Sequence, residues 1–178
     1  MLDIAMHILD KLIDLTKLRS DKRKAVFTNH IEPIFEMVKA VYTDYQDMLN
    51  DVEEAIDAGK SRNELVELVK KRRRLEERTR IELEKYTEHF LYWKPEDDEL
   101  HDFAFWSHML IAGDPAALGR RIFTTQATSL INDLTMMAPD GQPFYKPSII
   151  VGRYQNDLRY SYKRVSDAYY QLKIKLLA

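Results

Sequence analysis

The longest regular pattern of hydrophobic positions runs from Phe27 to Ala55, where apolar residues recur at alternating steps of four and three. This spacing keeps one stripe of a helix against a neighbour that lies nearly parallel to it. Pro33 falls inside the run and lacks a backbone donor, so it predicts a kink or a true helix start close to Thr28. The stripe consists of Phe27, Ile31, Ile34, Val38, Val41, Tyr45, Met48, Val52 and Ala55.

Helical spacing continues over most of the remaining chain, with start and stop signals between the segments. The helix that begins near Phe27 should end at Ala58-Gly59, and Ser61 with Glu64 forms a capping box that opens the next helix, which extends to about Trp93. Further helices are expected over 2–18, 95–112, 114–137 and 148–178, with a loop at 138–147. The sequence therefore predicts a single all-α domain over 1–178, a bundle of about six helices. Helices 2 and 3, over 27–58 and 61–93, would form a long antiparallel hairpin.

One charged residue interrupts the apolar stripe of the second hairpin helix. Arg72 points into the middle of this stripe, where an unpaired charge would cost several kcal/mol. If the hairpin turns at Gly59, Arg72 lies opposite Met48, and the nearest acids are Asp44 and Asp47. We expect a structural ion pair that fixes the hairpin register, and the alternative is a functional arginine.

The two terminal helices carry more apolar surface than one neighbour would cover. Apolar residues occupy about half the circumference of 2–18. The last helix has a core stripe of Val151, Tyr154, Leu158, Tyr162, Val165, Tyr169, Leu172 and Leu176. Its other apolar residues point elsewhere, beside basic ones, and either a second neighbouring helix or another chain would cover them. Because Tyr and Arg often anchor protein contacts, we predict a partner-binding surface formed by Tyr160, Tyr170, Ile174, Leu177, Arg153 and Arg164.

Composition excludes several classes of chemistry. The chain has 27 basic and 29 acidic residues, so no overall field recruits nucleic acid or an anionic membrane. It has no cysteine, which excludes disulfides, thiol catalysis and zinc–thiolate sites. The N-terminus lacks a basic region before its apolar positions and no apolar run is long enough to span a bilayer. These features predict a cytoplasmic protein without a membrane anchor.

The basic run at 69–80, VKKRRRLEERTR, raises the possibility of a nucleic-acid contact. Consecutive residues on a helix turn by about 100°, so the run scatters around the polar arc, where glutamates also lie. A solvated, ion-paired face is therefore the favoured interpretation. The alternative function is a nucleic-acid-binding accessory factor that uses Lys70, Lys71, Arg73 and Arg74 or the last helix.

Five histidines raise the possibility of a metal site. His101 and His108 share one helix face, but the chain has neither a Glu-x-x-His pair nor a His-Glu-x-x-His motif. A Gly-x-Ser-x-Gly elbow and a phosphate-binding loop are also absent from the sequence. The sequence therefore predicts no cofactor, no bound metal and no catalytic residues; a metal-dependent enzyme is the third alternative.

The segment FTNHIEPIFEMVKAVYTDYQDMLNDVEEAI, residues 27–56, resembles segments of small uncharacterised bacterial helical proteins. Some of those proteins are encoded beside anti-phage defence genes. The resemblance carries no catalytic motif, and no functional residue follows from it. Together with the absence of catalytic motifs, it leads us to expect a non-catalytic helical interaction protein, an adaptor or subunit of a larger bacterial assembly, that self-associates or binds a protein partner.

Overall fold

A computed structural model describes residues 19–73, 98–112, 126–135 and 146–178. Of these residues 94% are helical and none lies in a strand, which confirms the all-α prediction. The described residues form five helices rather than the six predicted. Helix α1 has three continuous segments, Ser20–Val26, a π-helical turn Phe27–Ile31, and Glu32–Asp57; α2 is Arg62–Arg73, α3 is Asp98–Ala112, α4 is Gln126–Thr135 and α5 is Pro147–Leu177. The predicted helix over 2–18 lies outside the described residues.

The heptad stripe of α1 is buried as its spacing predicts. All nine of its residues are at most 8% exposed, and Val38, Tyr45 and Val52 have no exposed surface at all. The sequence predicted a kink or a helix start close to Thr28, and of these the helix start is wrong, because α1 begins at Ser20 and continues through this point as a π-helical turn. Pro33 is the second residue of the third segment, which directly follows the π-helical turn. A wider turn at that place accommodates a residue that cannot donate a backbone hydrogen bond.

The core lies between α5 and the helices packed around it. Helix α5 packs mainly on α3 and on the third segment of α1, and α2 packs on α4. Aromatic rings fill the contact between α1 and α5, since Phe35 stacks on Tyr169 and Tyr42 stacks on Tyr162, each with ring centroids 3.9 Å apart. Such stacked pairs add to the stabilisation that burial of their surface provides.

The turn after α1 follows a Schellman arrangement. Gly59 has a φ of 70°, its N–H donates to the carbonyl of Ile56, and the N–H of Lys60 donates to the carbonyl of Ala55. At the start of α2, the Glu64 carboxylate accepts hydrogen bonds from both the backbone N–H and the hydroxyl of Ser61, at 2.8 and 2.7 Å. The predicted helix stop and the reach of Glu64 back to Ser61 are both confirmed.

The expected partners of Arg72 are wrong. Its Nε donates to Asp51 Oδ2 at 2.5 Å and its guanidinium forms an ion pair with the same oxygen. Asp51 lies one helical turn closer to the connection than Asp47 does. The prediction assumed that the two helices face each other along their lengths, whereas α2 packs more extensively on α4 than on α1. The second arm beyond Arg73 lies outside the described residues, so the long hairpin stays a prediction.

Candidate interaction surface

Large hydrophobic side chains are exposed on one helix only, within the parts of the chain that the structure describes. They are Ile149, Tyr160, Tyr170, Ile174 and Leu177, with exposures between 42 and 64%, and all five belong to α5. Single exposed apolar residues are normal on protein surfaces, whereas a set that shares one helix face is a candidate contact surface.

The helical repeat explains why these residues lie together. The buried stripe of α5 and its exposed residues occupy opposite arcs, because each residue advances about 100° around the axis. The exposed arc has its own heptad spacing of alternating fours and threes. We call these nine exposed positions the outward seam: Ile149, Arg153, Asn156, Tyr160, Lys163, Asp167, Tyr170, Ile174 and Leu177.

Arg153 is held at one edge of the seam by α4. Its guanidinium forms an ion pair with Asp133 and lies 5.3 Å from the ring centroid of Tyr154. The Tyr154 hydroxyl donates to Asp133 Oδ2 at 2.9 Å. Burial raises the pKa of Tyr154, and the negative charge of Asp133 raises it further, so the hydroxyl stays protonated and donates. Arg153 is therefore a positive charge of the seam that Asp133 holds in place.

Arg164 and Tyr160 are held by Trp106 of α3. The Arg164 guanidinium lies 5.0 Å from the Trp106 ring, and the Tyr160 ring meets the same indole edge-on at 5.5 Å. A cation over an indole face and an edge-to-face aromatic pair are both favourable geometries. The contacts orient two of the residues predicted to bind a partner.

The C-terminal part of the seam is the most apolar. Tyr170, Ile174 and Leu177 are separated by steps of four and three, and Tyr170 is 55% exposed although its ring meets that of Tyr169 edge-on at 5.4 Å. Sequence reasoning missed Ile149 as a member. The signal that would have found it is the seven-residue spacing that leads from Leu177 and Tyr170 back to Ile149.

The basic run does not form an unopposed positive patch in the described residues. Lys70 and Lys71 are exposed, but Lys70 donates to Glu67 at 2.7 Å and Arg72 pairs with Asp51. Arg74 and the side chain of Arg73 lie outside the described residues. Nucleic-acid affinity depends on several unopposed cations that release counterions. The described part of the run lacks that arrangement.

The two histidines of α3 lie seven residues apart, about 10 Å along the helix, in different environments. His101 is partly exposed and its ring stacks on Phe105, while His108 is fully buried, and burial lowers its pKa to about 4. Among the described residues, no group of three or more His, Cys, Asp or Glu could hold a metal ion.

No helix in the described ranges is long and apolar enough to cross a membrane. Comparisons of the chain with models of protein families, with curated proteins and with solved structures give no match.

Proposed function

We propose that this chain is a non-catalytic helical interaction protein, an adaptor or subunit of a larger assembly, and that the outward seam of α5 binds its protein partner. The observation that carries the proposal is the confinement of exposed large hydrophobic side chains to this seam in the described residues. Two side chains of the seam and its edge, Tyr160 and Arg164, are already oriented by Trp106. A preorganised aromatic and arginine surface loses little conformational entropy on binding.

We further propose that this assembly is bacterial, cytoplasmic and defence-related. The cytoplasmic location rests on the N-terminal sequence pattern, and the bacterial and defence-related parts rest on the resemblance of 27–56 to small bacterial helical proteins. The long hairpin of 27–58 and 61–93 belongs to the proposal as the scaffold beside α5. The Arg72–Asp51 ion pair supports its first turns.

The experiment places a photo-crosslinking phenylalanine analogue at Tyr170 in cells that produce the protein. This residue is exposed and aromatic, so the replacement keeps the ring and leaves the core unchanged. The matched control carries the same analogue at Lys39, an exposed position of α1. We expect a discrete protein adduct from position 170, no adduct from position 39, and loss of the first adduct when Ile174→Asp is added.

Circular dichroism of the Ile174→Asp variant provides the folding control. Ile174 is 64% exposed, so its replacement should change the free energy of unfolding by about 0.5 kcal/mol or less. Equal adducts from positions 170 and 39, or none from either, would contradict the proposed surface.

A further inference from the structure

The outward seam is complementary to itself when two copies run in opposite directions. We propose that the partner of α5 is a second copy of this chain, bound through an antiparallel α5–α5 contact whose two-fold axis passes between Ser161 and Tyr162. This inference rests on the proposed function, because it names the partner of the same surface. The pattern of charge along the seam supports both the direction and the register of the contact.

A parallel contact is unfavourable because the seam contains single charges. In a parallel, in-register pair each residue faces its own copy, so Arg153 would face Arg153, Lys163 would face Lys163, and Asp167 would face Asp167. Like charges placed opposite each other destabilise helix pairs. Three such repulsions along one seam disfavour the parallel arrangement.

The antiparallel contact removes these repulsions. With the axis between Ser161 and Tyr162, residues at equal distances from it face each other across the two copies. The seam pairs, each formed twice, are Ile149 with Ile174, Arg153 with Tyr170, Asn156 with Asp167, and Tyr160 with Lys163. They combine an apolar contact, two cation–aromatic contacts and one amide–carboxylate hydrogen bond.

The residues flanking the seam favour this register over the antiparallel register that is shifted by one heptad. Asp157 and Arg164 are both exposed and follow the seam on one side. In the proposed register Asp157 lies beside Arg164 of the second copy, and this opposite-charge pair occurs twice. The Arg164 guanidinium lies 5.0 Å from the Trp106 ring centroid, and an arginine in a cation–aromatic contact can still bind a carboxylate through its N–H groups.

The antiparallel register one heptad further along places the axis at Val165. In that register Lys163 faces Asp167 twice, but Arg164 faces Arg164 of the second copy and Arg159 lies beside Lys173 twice. The two Arg159–Lys173 repulsions offset the two Lys163–Asp167 attractions, the Arg164–Arg164 repulsion remains, and the Asp157–Arg164 pairs are lost. Charge complementarity therefore favours the axis between Ser161 and Tyr162.

Site-directed crosslinking tests the register directly, because the chain has no cysteine of its own. The double variant Ile149→Cys/Ile174→Cys should form a covalent dimer on oxidation or with a short bis-maleimide. The variant Ile174→Cys alone reports a parallel contact, and Lys163→Cys/Asp167→Cys reports the shifted antiparallel register. Efficient dimer formation by either of these in place of Ile149→Cys/Ile174→Cys would overturn the proposed arrangement.

Sedimentation of the full chain tests the flanking pairs. Asp157→Arg converts two attractive pairs into two repulsive ones, and we expect the dissociation constant to rise about tenfold. Combining Asp157→Arg with Arg164→Asp should restore most of the affinity, which a general effect on folding would not do. If the second change gives no recovery, the Asp157–Arg164 contact and hence the register are wrong.

The outcomes separate this inference from the proposed function. A chain that stays monomeric at high concentration but forms a foreign adduct from position 170 overturns self-association and leaves the interaction surface intact. A monomeric chain without any adduct overturns both. A dimer that persists in the double variant Tyr170→Asp/Ile174→Asp, with helicity retained, shows that self-association uses another surface and overturns the inference.

Discussion

The Arg72–Asp51 pair holds the last turn of α2 against α1, and removing its acid should destabilise the fold measurably. The two side chains are 34 and 35% exposed, so each is partly desolvated but still reached by water. In Asp51→Ala the partly buried Arg72 side chain loses both its ion pair and the hydrogen bond that its Nε donates. The change strands one charge and leaves the hydrophobic core untouched.

The expected loss lies between two limits. An exposed ion pair contributes up to about 1 kcal/mol, whereas breaking a fully buried pair costs about 3–5 kcal/mol. With one-third of each side chain exposed, we expect Asp51→Ala to lower the free energy of unfolding by about 1–2 kcal/mol. Arg72→Met should cost less, about 0.5 kcal/mol, because it removes the charge and keeps the packing of the side-chain stem.

Urea denaturation followed by circular dichroism measures these differences. For a slope of about 2 kcal/mol per molar urea, a loss of 1–2 kcal/mol lowers the midpoint by roughly 0.5–1 M without changing the slope. Asp47→Ala is the matched control, since Asp47 is an exposed acid of the same helix, and its midpoint should hardly move. The double variant Asp51→Ala/Arg72→Met should be more stable than Asp51→Ala alone. Equal midpoints for Asp51→Ala and Asp47→Ala would refute the reasoning.

Three further predictions concern single residues. Gly59→Ala should lower the free energy of unfolding by about 1 kcal/mol because φ is 70° there, whereas Gly152→Ala, inside α5, should raise it by about 0.5–1 kcal/mol. An added Cβ meets nothing within 4 Å at either position, so a loss of stability at both in thermal denaturation would contradict this backbone argument. Tyr154→Phe should cost about 1 kcal/mol by removing the donor to Asp133, and the wild-type tyrosine absorbance should retain one late-ionising component in alkaline titration that the variant lacks. Burial lowers the pKa of His108 to about 4, so the unfolded chain takes up a proton at a higher pH than the folded chain does. The free energy of unfolding should therefore fall by on the order of 3 kcal/mol as the pH drops from about 6.5 to 4. His108→Leu should flatten this pH dependence, which urea titrations at each pH would measure.

Local pattern was sufficient for the features that one helix decides by itself. The alternating steps of four and three residues in α1 identified nine residues that are all buried, since an apolar stripe of this length is normally covered in a folded chain. The same argument separated the buried stripe of α5 from Tyr160, Tyr170, Ile174 and Leu177, all of which are exposed. Glycine at position 59 and the Ser61–Glu64 spacing predicted a helix stop and start, because these signals act over a few residues.

Features that depend on how two helices meet were decided by the tertiary structure alone. The partner of Arg72 is Asp51, and the register of a simple hairpin did not give this pair because α2 packs more extensively on α4 than on α1. The engagement of Arg153 by Asp133 and of Arg164 by Trp106 joins residues far apart in the chain, which no local spacing encodes. Sequence periodicity determined which face of α5 points outward; the packing of α3 and α4 beside it decided which of its charges are already held in place.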